Sequence, residues 1–157
     1  MTFSTPFGRK AIALLAFAAL TACSDDSDGD LVAPAKGMSW TVDGTATTAN
    51  SYQPNVSGTD VILTGSAISS AAFSSVTLTL PLQTGTYNLA TVGSDVKAVY
   101  VAGTGNTNGT AYYATSGTAT VTSATATSYM GTFSFSGTDA NGTASKTISS
   151  GKFNVTL

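Results

Sequence analysis

The segment Ser75-Val76-Thr77-Leu78-Thr79-Leu80 decides the fold class of this chain. Apolar and hydroxyl side chains alternate along it, which is the period of an extended strand with one buried face and one solvated face. Threonine also favours an extended backbone through its branched β-carbon. The segment therefore predicts a half-buried β-strand.

The same period of two recurs from Met38 onwards, and turn signals rich in glycine and asparagine separate the runs. Strands are predicted at 38–42, around Val61 and Leu63, at 119–122, 129–135 and 153–157. The last of these should pair within the sheet. Asn108-Gly109 and Asn141-Gly142 are predicted type I′ hairpin turns. The pattern predicts a single all-β domain, an antiparallel β-sandwich or flattened barrel with mainly hairpin and meander connections.

The N-terminal region has the layout of a bacterial lipoprotein signal. Arg9-Lys10 precede an apolar run over residues 11–20, and Leu20-Thr21-Ala22-Cys23 ends on the chain's single cysteine. The run is too short to span a bilayer, which requires about 20 apolar residues. The pattern predicts a signal peptide over residues 1–22, and a thioether-linked lipid with added acyl chains such as palmitate at Cys23.

Residues 23–36 are predicted to form an acidic, flexible tether ahead of the all-β domain at 37–157. The start of this tether resembles the acidic export signal that follows the lipidated cysteine in surface lipoproteins of Bacteroidota. The residues that carry this resemblance are Ser24, Asp25, Asp26 and Asp28. It implies an outer-membrane lipoprotein exposed on the cell surface, with a periplasm-facing tether as the alternative.

The composition argues against most catalytic chemistry. The chain has no histidine and no glutamate, and once residues 1–22 are removed it has no arginine. A nucleophile–base pair or a soft metal site therefore has no residues to form it, and an intrachain disulfide is excluded. Four lysines against eight aspartates in the remaining chain form no basic stripe, so nucleic acid is not a predicted partner. We expect a protein without enzymatic activity, cofactor or metal.

Aromatic residues leave one specific binding function open. Adjacent Tyr112 and Tyr113 must point to opposite sides of a strand, so one of them should face solvent and could contact a ligand. Trp40, Tyr87 and Tyr129 share the parity of apolar neighbours and should point inward. A structural or protein-interaction role in the cell envelope is thus the first prediction, and a carbohydrate-binding module is the alternative. The partner would be an envelope protein or a glycan, and the oligomeric state stays open.

Five short motifs follow one another along the domain. They are Trp40-Thr-Val-Asp43-Gly44, Gly85-Thr-Tyr87-Asn-Leu89, Gly117-Thr-Ala-Thr-Val121, Gly131-Thr-Phe133-Ser-Phe135 and Gly151-Lys-Phe153-Asn. In this order, behind the cysteine signal, they resemble a family of Bacteroidota lipoproteins with a domain of unknown function. The resemblance covers nearly all of residues 37–157 and implies a small, anchored, all-β domain. It implies no site residue.

Overall fold

The computed structural model describes residues 35–90, 95–105 and 108–157. Within these ranges there are ten strands and no helix, and every strand pair is antiparallel, which confirms the predicted all-β class. The strands are β1 (Gly37–Val42), β2 (Thr45–Thr48), β3 (Ser51–Ser57), β4 (Asp60–Ile68), β5 (Ala72–Pro81), β6 (Gly85–Asn88), β7 (Lys97–Thr104), β8 (Thr110–Ala124), β9 (Tyr129–Asp139) and β10 (Ser145–Val155).

All ten strands belong to one curled sheet. Its order is β2-β1-β10-β9-β8-β7-β5-β4-β3, and β6 pairs with β8 beside this path. The two ends of the path, β2 and β3, follow each other in the chain. Between them, Ala49 N–H donates to Met38 O in β1 and Asn50 N–H donates to Ser66 O in β4, both at 2.9 Å. The described strands therefore form one curled sheet rather than two separate sheets, and the short connection between β2 and β3 links its two ends.

The core lies inside the curl and follows the period of two. On β5, Val76, Leu78 and Leu80 are at most 1 % exposed, while the threonines between them are partly exposed. β9 continues the core with Phe133 and Phe135, at 3 % each. Each such side chain stabilises the fold by roughly 1.5–3 kcal/mol through burial. The buried residues of the described ranges form one cluster, so the sheet is held together around this core.

The segment 153–157 was predicted to pair within the sheet, and this is confirmed for residues 153–155, where β10 ends. β10 lies between β1 and β9, with Phe153 opposite Met38 on one side and opposite Gly131 on the other. The Phe153 ring stacks on Tyr129 with centroids 5.3 Å apart. This strand is therefore an interior strand of the sheet.

Both predicted hairpins form, between β7 and β8 and between β9 and β10, but Asn108-Gly109 and Asn141-Gly142 do not have the predicted type I′ geometry. At Asn141-Gly142 only the glycine has positive φ, at 68°. In the β7–β8 connection the left-handed glycine is Gly105, and Gly109 instead packs under the Phe73 ring. The type I′ geometry occurs between β1 and β2, where Asp43 and Gly44 have φ of 45° and 89°.

Candidate functional site

The predicted lipidation and export residues cannot be placed. Cys23, Ser24, Asp25, Asp26 and Asp28 lie outside the described residues. Among the residues that are described, no helix is long and apolar enough to cross a membrane.

Tyr112 and Tyr113 point to opposite sides of β8, as adjacent strand residues must. Tyr113 is 53 % exposed on the outer face, whereas Tyr112 is only 9 % exposed. The Tyr112 ring lies in the core, with its centroid 6.0 Å from that of Tyr100. Its assignment as a ligand-facing aromatic is therefore corrected: it packs against the interior, and only Tyr113 is accessible.

Tyr113 does not belong to an aromatic platform. The second exposed tyrosine is Tyr52 at 38 %, which lies on β3, several strands away in the sheet order. Trp40 and Tyr129 are at most 1 % exposed, in agreement with their predicted inward parity. Stacking of a sugar chain across several rings has no basis in the described part of the chain.

Among the described residues no strand pairs with the outer edge of β3, and a proline interrupts this edge. The hydrogen bond from Leu82 N–H to Thr59 O shows that Asp60 of β4 is not hydrogen-bonded to the opposite residue of β5, Pro81. The backbone N–H and C=O of Asp60, and of every second residue after it in β4, therefore point towards β3. The β3 residues opposite these positions form hydrogen bonds to β4. The backbone groups of the residues between them, Tyr52, Pro54 and Val56, consequently point away from β4. Pro54 has no N–H, and its ring occupies the space where an added strand would approach. The edge is thereby protected against strand addition.

Two of the described carboxylates, those of Asp43 and Asp139, have structural hydrogen-bond partners. Asp139 accepts bonds from the Thr143 and Ala144 N–H groups at 2.7 and 3.0 Å, and these bonds hold the pKa of its carboxyl below the usual value. Asp43 is 2.7 Å from Lys146 Nζ and accepts from Thr147 N–H, which likewise lowers its pKa. The described residues contain no cluster of three potential metal ligands.

A cavity of about 630 Å³ lies beside β1 and β10, and we call it the β1/β10 cavity. Cross-strand register explains two rows of its lining, whose residues alternate with core residues along their strands and so face away from the interior. Met38 and Phe153 of the core also line the cavity. One row runs Thr48, Ser39, Lys152, Thr132 across β2, β1, β10 and β9. The next row runs Gly37, Asn154, Met130.

The sides of the β1/β10 cavity come from the chain segments next to these rows. Lys36 contributes from the start of β1, with its Nζ held 2.7 Å from Thr156 Oγ1. Tyr52 and Asn50 contribute from the start of β3, and Thr122 from β8. Gly37 leaves open space at the bottom, since no atom lies within 4 Å of where a Cβ would be.

The β1/β10 cavity is positively charged. Two of the lysines, Lys36 and Lys152, line it, and no aspartate of the described ranges does. Lys152 has no ion-pair or hydrogen-bond partner among the described residues. Lys146, also on β10, differs from Lys152 because the Asp43 carboxylate compensates its charge. The arrangement can hold an anionic group close to a surface that also offers hydroxyl and amide partners.

One family matches this chain, over residues 37–155, and its description is Domain of unknown function (DUF6252). The chain belongs to this family. The DUF6252 match begins with β1 and ends with β10, so it covers all ten strands. No curated protein and no solved structure matches the chain.

Sequence reasoning did not find the β1/β10 cavity of this DUF6252 domain. Lys36 and Lys152 are far apart in the chain, and they line one cavity only because β1 pairs with β10 at Gly37 and Asn154. The available signal was the outward parity of Lys152 and Asn154 on the last strand. Without the strand order, that parity does not indicate which residues of the neighbouring strands lie beside Lys152 and Asn154.

Proposed function

We propose that this protein is a lipid-anchored lipoprotein of the cell envelope, whose β domain is a non-enzymatic structural or interaction module. The observation that carries the proposal is the segment Leu20-Thr21-Ala22-Cys23 behind Arg9-Lys10 and the apolar run. The first described strand and the family match both begin at residue 37, which supports the proposal. In this proposal, residues 23–36 connect a lipidated Cys23 to β1.

The proposed absence of enzymatic activity is supported by how the polar residues are used. Histidine and glutamate are missing from the sequence. Asp43 is committed to Lys146 and Thr147, and Asp139 is committed to its own turn. A hydrolytic pair of carboxylates has no support in this arrangement.

The anchor is tested by metabolic labelling with a palmitate analogue, comparing the wild type with Cys23→Ser. The wild type should be labelled and remain with membranes in alkaline carbonate, while Cys23→Ser should lose the label. Equal labelling of both proteins would contradict the proposal.

Display at the outer surface is proposed from the acidic residues after Cys23, which resemble an export signal. Protease treatment of intact cells should digest the wild type. A variant with Asp25, Asp26 and Asp28 changed to alanine should be protected, because it would stay on the periplasmic side. If both proteins are digested equally, the acidic run has no role in export.

The alternative of a carbohydrate-binding module that uses exposed tyrosines has less support. Tyr112 is in the core, and Tyr52 and Tyr113 lie on separate strands.

A further inference from the structure

We propose that the β1/β10 cavity is a binding site for an acidic saccharide, a sugar chain that carries carboxylate groups as uronic acids do. The site does not involve Tyr112 or Tyr113. It also does not depend on the lipid anchor, because the described residues that line it belong to the β domain and the segment just ahead of it.

The size and lining of the cavity fit a small ligand. Its volume of about 630 Å³ lies within the range of small-molecule sites. Its lining combines apolar surface with a few polar side chains, which is the usual composition of such sites. Tyr52 and Met130 supply the apolar surface, against which the C–H face of a pyranose can pack.

The polar lining matches the hydroxyl groups of a sugar. Ser39, Thr48 and Thr132 offer hydroxyls, which both donate and accept hydrogen bonds. The Thr122 hydroxyl also lines the cavity and donates to Met130 O at 3.3 Å, so it can still accept a hydrogen bond from a ligand. A sugar hydroxyl can use both the donor and the acceptor of such a group, whereas a fully ionised anion can only accept.

The charge of the lining selects for an acidic ligand. Lys36 and Lys152 approach the cavity from β1 and β10, and no described aspartate lines it to offset them. Lys36 is positioned by Thr156, whereas Lys152 has no partner among the described residues and is available for a carboxylate. Hydrogen bonds between an ammonium and a carboxylate are stronger than neutral ones. The ligand should therefore bind through its carboxylates and be oriented by its hydroxyls.

The test is calorimetric titration of the full chain, in a neutral polyoxyethylene detergent, with a tetramer of galacturonate. Lys36→Gln and Lys152→Gln should each weaken binding about tenfold or more, since each removes one charged hydrogen bond. Lys97→Gln is the matched control. Lys97 is an exposed lysine on β7 that does not line the cavity, and this variant should bind as the wild type does.

Three further titrations separate the possible ligands. The carboxyl-reduced, neutral form of the tetramer should bind at least about tenfold more weakly, and equal binding would overturn the requirement for a carboxylate. Inorganic phosphate and phosphatidylglycerol vesicles should bind no more tightly than the neutral form. If either binds as tightly as the tetramer, and Tyr52→Ala leaves that binding unchanged, the site recognises a simple anion and the saccharide assignment is wrong. Absence of tetramer binding would also overturn it, without bearing on the lipid anchor.

Discussion

Glycines in β9 and β10 determine where the aromatic rings of the core lie. A Cβ at Gly131 would be 2.2 Å from Thr120 O and 2.5 Å from Phe153 Cζ. At Gly151 the corresponding contact is with the Phe133 ring, also at 2.5 Å. The Phe133 and Phe153 rings, with centroids 6.5 Å apart, therefore lie directly on the backbone of the neighbouring strand. Close approach is the reason that these strand positions are glycine.

Gly131→Ala should lower the free energy of unfolding by about 3 kcal/mol, because the added methyl group meets backbone as well as a ring. Gly142→Ala is the comparison, since no atom is near its Cβ position and only its φ of 68° is unfavourable. That variant should cost about 1 kcal/mol. Urea unfolding measures both. Equal losses would contradict close packing at Gly131.

The Asp43 carboxylate makes stability depend on acid pH. The hydrogen bond from Lys146 and the Thr147 N–H lower its pKa below the ordinary value of 3.8. Since the folded-state pKa is the lower one, its stabilising contribution is present above about pH 4 and is lost as the pH falls through the lowered pKa.

Asp43→Asn keeps a residue that tolerates the positive φ at this position and removes the titrating group. The variant should therefore lose less stability than the wild type between about pH 7 and about pH 2.5. Urea unfolding at both pH values measures the difference. The same loss in both proteins would show that Asp43 does not contribute.

At the scale of strands, the strands with regular alternation could be predicted from sequence, and β5 is the clearest case. Ile62 does not fit a pure alternation, and it lies on the outer face at 37 % exposure while Val61 and Leu63 are buried. The alternation with a period of two therefore predicted the buried face of β4 correctly, although the apolar Ile62 departs from it.

Features that depend on the neighbouring strand could not be predicted. β3 is polar and exposed almost throughout, so its residues carry no apolar period. β8 runs for 15 residues with two register shifts, and Gly117 within it has φ of 130°. Lys36 and Lys152 line the same cavity only because β1 pairs with β10. None of these relations is present in a local window of sequence.

Pro54 is expected to keep the free edge of β3 from pairing with other chains. Pro54→Thr would restore an N–H that points away from β4 and remove the ring that blocks approach. The variant should self-associate more strongly in sedimentation velocity. Gln53→Thr is the matched control on the same strand, because its backbone groups already bond to β4. If the two variants sediment alike, Pro54 does not protect the edge.

β10 is expected to be required for folding, because it separates β1 from β9 and carries Phe153 and Val155 of the core. Deleting residues 152–157 should abolish cooperative unfolding, since β1 and β9 both lose paired backbone and the core loses two buried side chains. Thermal unfolding followed by circular dichroism is the measurement. An unchanged transition would show that the strand is peripheral.

At the scale of the whole molecule, we propose that a lipid at Cys23 holds the β domain through an acidic connection. The described part of the domain has one core, one curled sheet and a cavity lined by two lysines. A single acyl chain holds a protein only weakly to a membrane, whereas several chains make the anchor stable. If Cys23 is lipidated, the domain acts at a membrane surface.

Mass spectrometry of the N-terminal peptide from the native protein tests this account most directly. We predict a chain that begins at Cys23, with a mass increased by a thioether-linked diacylglycerol and a further acyl group. A native peptide that retains residues 1–22, or that carries an unmodified Cys23 thiol, would contradict the account.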